Sequence, residues 1–302
     1  MSSRWVVVAV SRKGGPVLAG ALRGALEEIG ASQGAAGVLS DMAPLHAVYL
    51  TFTLPEGGSA SGLRALLEPR LEADLAVMPA ARFGRKRLLI SDMDSTIIGQ
   101  ECIDELADAV GLKPRIAGIT ERAMRGELDF ETALTERVAL LKGLALGELE
   151  RTLRERITLN PGARTLIATM RAHGAETLLV SGGFTFFTAR IAALAGFAAH
   201  QGNRLIDDGA VLTGEVAQPI LGRAAKRTAL LEAAAGLGAG PEEVLALGDG
   251  ANDLDMIRAA GLGIAYHAKP VVAGEAGGAI RHTDLTAALF FQGLTPADFV
   301  HG

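Results

Sequence analysis

Short apolar runs alternate with amphipathic stretches from residue 88 to the end of the 302-residue chain. These runs are brief and carry no 3.6-residue period, which predicts buried strands over residues 88–91, 177–180, 244–247, 263–266 and 279–281. Between them, apolar residues recur three or four positions apart, which predicts helices over residues 163–172, from 185 onwards, around Lys226 to about 235, 255–260 and 284–291. This alternation is typical of an α/β protein with a parallel sheet.

Residues 4–82 show a different order. The predicted strands cover residues 5–10, 34–39, 46–54 and 75–78, and the predicted helices cover 17–29 and 62–73. This β-α-β-β-α-β order is that of a ferredoxin-like fold. It resembles the ACT-type regulatory domains, in which a glycine-containing turn after the first strand binds small amino acids. We therefore expect residues 1–82 to form an ACT-like α+β domain for regulation or dimerisation, followed by a second domain over 83–302.

The chain between the first two parallel strands is helical. Apolar residues at helical spacing predict helices over residues 101–109, 116–124, 130–142 and 146–157. A helical insertion that leaves a sheet directly after its first strand is well placed to cover that edge and exclude water. We expect residues 97–158 to form either such a cap or a plain helical bundle packed beside the sheet.

Composition and charge narrow the classes of function. The chain has 29 Lys and Arg against 34 Asp and Glu, and 4% aromatic residues, which argues against a nucleic-acid or anionic-membrane surface. The single cysteine, Cys102, excludes an internal disulfide and a cysteine-based metal cluster. The apolar run at 5–10 is too short for a signal peptide, and no segment reaches transmembrane length. We therefore expect a cytoplasmic protein with no nucleic-acid and no membrane partner.

Two aspartates stand at the end of the first parallel strand, in the sequence LLISDMDST at 88–96. Asp92 and Asp94 are two residues apart, so both side chains project from one side of an extended chain. They lie at the sheet edge where open α/β proteins bind ligands. Such a pair predicts a Mg²⁺ site, an acid with a raised pKa, or both, because two close carboxylates otherwise repel each other. Taken alone, it also fits solvated turn aspartates.

Later strands end in further polar residues. The strand at 177–180 is followed by the sequence SGG at 181–183, whose hydroxyl and backbone N–H groups at a helix start could bind phosphate. The strand at 244–247 is followed by the sequence GDGAND at 248–253, and Lys226 lies early in a helix between the two. A glycine-rich turn or a lysine on a helix is common without any function. The chain has neither a Walker A motif nor a dinucleotide-binding glycine fingerprint.

The ordered set of motifs resembles the haloacid dehalogenase (HAD) superfamily of phosphotransferases. Its parts are DMDST at 92–96, the strand-terminal Ser181, Lys226 and GDGAND at 248–253. Within the superfamily, the chain is similar to the phosphoserine phosphatase family through Glu101 and the sequences DFE at 129–131, RVALLKG at 137–143 and SGGF at 181–184. The resemblance covers about residues 85–295. It implies a Rossmann-like parallel sheet with a helical cap at about 97–158, and Mg²⁺-dependent hydrolysis of O-phospho-L-serine.

The resemblance also implies a role for each candidate residue. Asp92 would attack phosphorus and form an aspartyl phosphate, and Asp94 would act as general acid and then as general base. Mg²⁺ would be held by Asp92, Asp249 and the backbone carbonyl of Asp94. In the cap, Arg137 would bind the substrate carboxylate and Glu101 its ammonium. The remaining implied substrate contacts are Ser181, Gly182, Lys226, Asn252, Met124 and Phe130, with Asp253 in a supporting position.

Two other functions fit part of this pattern. The first is a related phosphatase that acts on another small phosphate ester, such as phosphohomoserine. The second is a non-catalytic amino-acid sensor in which residues 1–82 carry the function, although a degenerate scaffold would have no reason to keep Asp92, Asp94, Lys226 and Asp249 together. A homodimer formed through the N-terminal domain is a further expectation.

Overall fold

The computed structural model describes residues 4–54, 58–124 and 127–302, apart from the side chain of Met124. Within these ranges the strands are β1 (Arg4–Ser11), β2 (Ser32–Ser40), β3 (His46–Thr53), β4 (Asp74–Pro79), β5 (Leu88–Ser91), β6 (Glu176–Phe184), β7 (Ala199–Asn203), β8 (Leu205–Asp207), β9 (Leu212–Val216), β10 (Val244–Gly248), β11 (Leu262–Tyr266) and β12 (Gly278–Ile280). The helices are α1 (Gly15–Glu28), α2 (Ala60–Leu67), α3 (Cys102–Ala109), α4 (Lys113–Met124), α5 (Phe130–Ala139), α6 (Leu146–Arg156), α7 (Ala163–Ala172), α8 (Thr185–Ala195), α9 (Arg223–Gly236), α10 (Leu254–Ala259), α11 (Pro270–Glu275) and α12 (Ala287–Phe290).

The predicted parallel sheet is confirmed, with the strand order β12-β11-β10-β5-β6-β7. Alternate residues of its strands face opposite sides, as the two-residue period of a strand requires. Leu89 and Leu179 belong to the core that contains α7 and α8, whereas Ile90 and Val180 belong to the core that contains α9 and α10. The sheet is therefore buried on both faces, which explains why its strands are continuous apolar runs.

The N-terminal residues form four antiparallel strands in the order β2-β3-β1-β4. The element order β-α-β-β-α-β is the predicted one. Helices α1 and α2 pack with one face of these strands in a separate core. At its inner edge, β4 also pairs antiparallel with β12, so that one ten-stranded sheet runs through both parts of the chain. The division of the chain at residue 82 remains a prediction.

A buried aspartate ties the N-terminal strands to the rest of the chain. Asp74 is 1% exposed, and its carboxylate accepts hydrogen bonds from the backbone N–H groups of Arg281, His282 and Thr283 and from the Thr283 hydroxyl. Replacing Asp74 with Asn should lower the free energy of unfolding by about 2–3 kcal/mol, because the neutral amide makes weaker hydrogen bonds and brings donors where acceptors are needed. Urea unfolding measures this loss.

Exposed Asp41 provides the matched control, since Asp41→Asn removes the same charge without disturbing a buried contact. If Asp74→Asn changed the free energy of unfolding no more than this control, the four hydrogen bonds would not stabilise the junction.

Helices α3–α6 lie between β5 and β6 in the chain, as predicted. The two segments that connect them to the sheet lie side by side, joined by an antiparallel bridge between Ile98 and Leu159 and by the hydrogen bond from the Asn160 N–H to the Ile97 carbonyl. The Asp-Gly turn at 208–209 predicts a hairpin with strands over residues 203–206 and 211–215. A hairpin is present there as β8 and β9. It also reaches the helical segment, because the Leu212 N–H donates to the Leu144 carbonyl.

One strand of the parallel sheet is absent from the sequence prediction. Residues 199–203, with the sequence AHQGN, form the edge strand β7, whereas we predicted a hairpin strand over residues 203–206. Four of these five residues are exposed or half-buried, so the strand has no apolar pattern to reveal it. Among the described residues, no helix combines the length and hydrophobicity needed to span a bilayer.

Candidate active site

A cavity of about 520 Å³ lies between the carboxyl edge of the parallel sheet and helices α3–α5. This volume is in the range of small-molecule sites. The sheet side contributes Asp92, Asp94, Ser181, Gly182, Asp249 and Asn252, and the helical side contributes Glu101, Phe130 and Arg137. The structure thus brings together nearly all of the predicted site residues, although they are up to 160 positions apart in the chain.

A buried cluster of three charged residues forms the floor of the site. The ammonium of Lys226 lies 2.7 Å from Asp92 Oδ1 and 2.6 Å from Asp253 Oδ1, and all three side chains are at most 6% exposed. Asp253 Oδ2 accepts hydrogen bonds from the backbone N–H groups of Asp249 and Gly250. Asp253 is therefore fully engaged in holding Lys226 and the loop after β10.

Burial and mutual repulsion control the ionisation of this cluster. Burial raises the pKa of Asp92 well above its ordinary value, and the Asp253 carboxylate adds to that effect while Lys226 opposes it. For Lys226, burial acts against the charge, but the carboxylates of Asp92 and Asp253 together raise the pKa above its ordinary value. Lys226 is thus a permanent cation placed directly against the carboxylate of Asp92.

Asp94 is positioned by a tight turn after β5. Ser95 has a φ of 54°, in the left-handed region that few residues other than glycine adopt. Through this turn Asp94 Oδ1 accepts a hydrogen bond of 3.0 Å from the Cys102 N–H, and Asp94 Oδ2 accepts one of 3.3 Å from the Ser181 hydroxyl. Burial and the nearby Glu101 carboxylate raise the pKa of Asp94 to about 7. A carboxyl group of this pKa can both donate and accept a proton near neutral pH.

The acidic groups fit a hard divalent cation. Oxygen atoms of Asp92, Asp249 and Asp253 lie within 4.8 Å of one another. Because both oxygens of Asp253 are already engaged, Asp92 and Asp249 are the carboxylates of this cluster with room for a cation, and their role as ligands remains a prediction. Burial and repulsion by Asp253 raise the pKa of Asp249 to about 6. Carboxylate oxygens held together against such repulsion are the donor set that Mg²⁺ or Ca²⁺ prefers.

The last residues of β6, where the pairing with β7 is irregular, leave space for close contacts with the helical segment. A Cβ atom on Gly182 would lie 2.9 Å from the ring of Phe130, so glycine is required for the ring to pack there. A Cβ atom on Gly183 would lie 3.0 Å from Asp94 Oδ2. The Gly183 N–H donates to the Ser181 hydroxyl oxygen, which fixes the direction in which that hydroxyl points.

Glu101 and Arg137 face the cavity from the helical side. Glu101 Oε1 accepts a hydrogen bond of 2.6 Å from the Ser95 hydroxyl, and burial raises the pKa of Glu101. Arg137 Nε donates to the Ala133 carbonyl, so the guanidinium is held by its own helix. Burial lowers the pKa of Arg137, while Asp104 and Glu101 oppose this. The site therefore presents an acidic side chain, Glu101, and a basic side chain, Arg137, on the same wall.

Three further residues complete the comparison with the sequence prediction. Asn252 lines the cavity, as predicted. Met124 was predicted to contact the substrate, but its side chain lies outside the described part of the chain. Lys269 lines the cavity and was not predicted. The signal that could have revealed it is its place just beyond β11, at the same edge of the sheet as Asp92 and Asp249.

The residue pattern of the haloacid dehalogenase-like hydrolases matches residues 89–258, which is more than half of the chain. The chain therefore belongs to this family of hydrolases. It is 49% identical, over 199 residues, to the phosphoserine phosphatase of Albidiferax ferrireducens, covering 64% of this chain and 84% of that protein.

Two solved structures cover nearly the whole fold. The HAD family hydrolase t0658 of Salmonella enterica serovar Typhi superposes with a TM-score of 0.81 at 30% identity, covering 96% of this chain and 98% of the other. A probable phosphoserine phosphatase of Vibrio cholerae gives a TM-score of 0.74 at 29% identity, covering 98% and 88% of the two chains. Since both extend beyond the matched family region, the N-terminal strands are part of a shared architecture.

Proposed function

We propose that this chain is a phosphoserine phosphatase that hydrolyses O-phospho-L-serine to L-serine and phosphate. The observation that carries the proposal is the arrangement of charges in one cavity. On the sheet side, the buried carboxyl group of Asp92 lies against the ammonium of Lys226. On the helical side lie an acidic and a basic side chain, Glu101 and Arg137. These two groups match the ammonium and carboxylate of an amino acid whose phosphate lies against Asp92. The similarity to the A. ferrireducens enzyme supports the same substrate.

The reaction follows from the two aspartates. A carboxylate oxygen of Asp92 attacks phosphorus, and the bond to the serine oxygen breaks. Asp94 donates its proton to that oxygen, so that neutral serine hydroxyl leaves. Asp94, now a carboxylate, then removes a proton from water, which attacks the aspartyl phosphate and releases phosphate and Asp92. The raised pKa of Asp94, about 7, supports this double role.

Four groups are proposed to hold the phosphoryl oxygens. Lys226 supplies a fixed positive charge beside Asp92. The Ser181 hydroxyl and the backbone at Gly182 lie at the same sheet edge, and Asn252 lines the cavity next to them. Donors that are fixed before the reaction stabilise the developing charge without reorganising, which is the largest contribution in many phosphoryl transfers.

We propose that Mg²⁺ is held by the carboxylates of Asp92 and Asp249 and by the backbone carbonyl of Asp94. Such an ion would neutralise charge on the nucleophile and on the phosphoryl oxygens. It would also relieve the repulsion that raises the pKa of Asp249.

Addition of Mg²⁺ to chelator-treated protein should therefore increase thermal stability. At a concentration one hundred times the Kd, the gain is about 2.7 kcal/mol. Asp249→Asn should abolish most of this gain, because it removes one of the two carboxylate ligands, whereas the exposed control Asp41→Asn should keep it. Differential scanning calorimetry with and without Mg²⁺ measures both. An equal gain in Asp249→Asn and wild type would exclude Asp249 as a ligand.

The specificity of the site is tested by phosphate release. We expect the wild-type chain to hydrolyse O-phospho-L-serine with a higher kcat/KM than phosphohomoserine, whose extra methylene moves the amino-acid end relative to Glu101 and Arg137. A higher kcat/KM for phosphohomoserine would reassign the substrate while leaving the chemistry intact. No turnover of either ester would contradict the proposed function.

We further propose that α3–α6 act as a cap over the cavity and that residues 1–82 form an ACT-like unit that joins two copies of the chain. The cap is supported by the contributions of α3–α5 to the cavity wall. The dimer is supported by β2, the edge strand at the N-terminal end of the sheet, whose outer edge pairs with no strand of the described residues. A location in the cytoplasm is supported by the single cysteine, which suits a reducing compartment.

A further inference from the structure

Lys269 has a position in the cavity that the proposed reaction does not use. It lies between β11 and α11, directly before Pro270, and its side chain is exposed at the cavity wall. Its backbone N–H donates a hydrogen bond of 3.3 Å to the carbonyl of Asp249. The lysine is therefore attached to the loop that carries one of the proposed Mg²⁺ ligands.

The other cations of the cavity are already committed. Lys226 makes two ion pairs, with Asp92 and Asp253. Arg137 donates to the Ala133 carbonyl and is assigned to the amino-acid end of the substrate. The ammonium of Lys269, in contrast, makes no ion pair within 4.0 Å with a residue of the described ranges. Its side chain nevertheless belongs to the site, because it lines the same cavity as Glu101 and Asp249.

The cavity wall carries more negative than positive groups. Asp92, Asp94, Glu101, Asp104 and Asp249 all line it. A phosphomonoester dianion approaching this wall meets repulsion, and a cation on the same wall would reduce it. Clefts that present a charge opposite to that of their ligand raise the rate of association by about 10- to 1,000-fold.

We propose that Lys269 is a substrate-binding residue that attracts the phosphate end of the substrate into the cavity. The inference builds on the proposed phosphatase function and adds a residue to its site. Because Lys269 acts on the phosphate, it assists every phosphomonoester alike. Arg137 differs in this respect, since it acts on the carboxylate of phosphoserine alone.

The N-terminal strands and helices hold Lys269 in place through α11. Arg64 of α2 is 1% exposed, and its guanidinium donates to the carbonyls of Ala273 and Ala276, at the last turn of α11. Lys269 is the residue before the first turn of the same helix. Since α11 has six residues and spans about 9 Å, a displacement at its carboxyl end is transmitted to Lys269. Arg64 is thus a positioning residue.

The test compares Lys269→Met with wild type on O-phospho-L-serine, on p-nitrophenyl phosphate and with inorganic phosphate as inhibitor. We expect kcat/KM to fall about tenfold for both esters, which is the smallest effect that a charged cleft has on the rate of association. Most of the change should appear in KM. The Ki of inorganic phosphate should rise by a similar factor. In about 1 M salt, where the screening length is about 3 Å, the difference between variant and wild type should shrink to less than about threefold.

Two controls separate the charge from the side chain. Lys269→Arg should restore most of the activity, and Lys142→Met, which removes an exposed lysine outside the cavity, should behave as wild type. A loss for phosphoserine alone, a loss that salt does not reduce, or an unchanged Ki for phosphate would overturn the proposal. If wild type hydrolysed p-nitrophenyl phosphate but not phosphoserine, the proposed substrate would be wrong. The role of Lys269 would still be tested by kcat/KM for p-nitrophenyl phosphate and by the Ki of inorganic phosphate.

Arg64→Met tests the link through α11. We expect a partial, equal loss of kcat/KM for both esters and no additional loss when Arg64→Met is combined with Lys269→Met, because both changes act through the same ammonium. Urea unfolding identifies the fraction folded, and Arg64→Lys serves if Arg64→Met does not fold. Losses that multiply in the double variant, or wild-type kinetics in a folded Arg64 variant, would exclude this positioning role.

Discussion

Asp92→Asn should reduce phosphate release from O-phospho-L-serine by at least about 1,000-fold, the scale on which loss of a nucleophile reduces covalent catalysis. An amide does not attack phosphorus. Among the described residues, the other carboxylate in contact with Lys226 is that of Asp253, which the loop N–H groups hold. Steady-state phosphate release with purified protein measures the effect.

The fold should survive this substitution. Asn keeps the shape of Asp92 and its acceptor oxygen, so the hydrogen bond from the Met93 N–H can persist. One of the two buried carboxylates that contact Lys226 loses its charge, and Asp253 keeps its own ion pair with Lys226. We therefore expect an unfolding free energy within about 2 kcal/mol of wild type, the ordinary range for a single substitution. Turnover of the folded variant within tenfold of wild type would contradict nucleophilic attack by Asp92.

Arg137→Ala should separate recognition of the substrate from the chemical step. If Arg137 binds the substrate carboxylate, its loss should reduce kcat/KM for O-phospho-L-serine. The factor should correspond to about 2–5 kcal/mol of lost transition-state stabilisation, the cost of removing one partner of a buried charge pair. For p-nitrophenyl phosphate, which lacks a carboxylate, the change should be small. The ratio of the two kcat/KM values is the quantity to measure.

The matched control for Arg137→Ala is Arg154→Ala, which removes an arginine of the same helical segment whose side chain is 71% exposed and outside the cavity. It should leave both substrates unaffected. Equal losses on the two substrates in Arg137→Ala would show that Arg137 packs the helical segment rather than binding the carboxylate.

Much of this site could be predicted from the sequence because each catalytic group directly follows an apolar strand. Asp92 and Asp249 directly follow β5 and β10, Ser181 follows the apolar part of β6, and parallel strands bring these positions to one edge. The structure adds the contacts that explain the chemistry. Lys226 lies 27 residues from Asp253 and far from Asp92 in the chain, and only the packing of α9 against the sheet places it between them.

Other features left no pattern in the sequence. Most residues of the edge strand β7 are exposed or half-buried, so no apolar run marks it. The continuous sheet depends on a short pairing between β4 and β12. Each strand was predicted from its own apolar run, and that run does not show which strand it pairs with. Arg64 has the sequence context of an exposed helical arginine, yet it is buried because unpaired carbonyls at the end of α11 lie next to it. Tertiary contacts alone determine these three outcomes.

The covalent step offers the most direct test of the proposed reaction. Wild-type protein is mixed with O-phospho-L-serine and Mg²⁺, quenched during turnover and treated with borohydride, which reduces an aspartyl phosphate to the corresponding alcohol. Peptide mass spectrometry then locates the modified residue. The proposed mechanism predicts reduction at Asp92, dependent on phosphoserine and absent from Asp92→Asn. Modification at another residue, or steady turnover of phosphoserine with no modified Asp92 in the quenched protein, would contradict it.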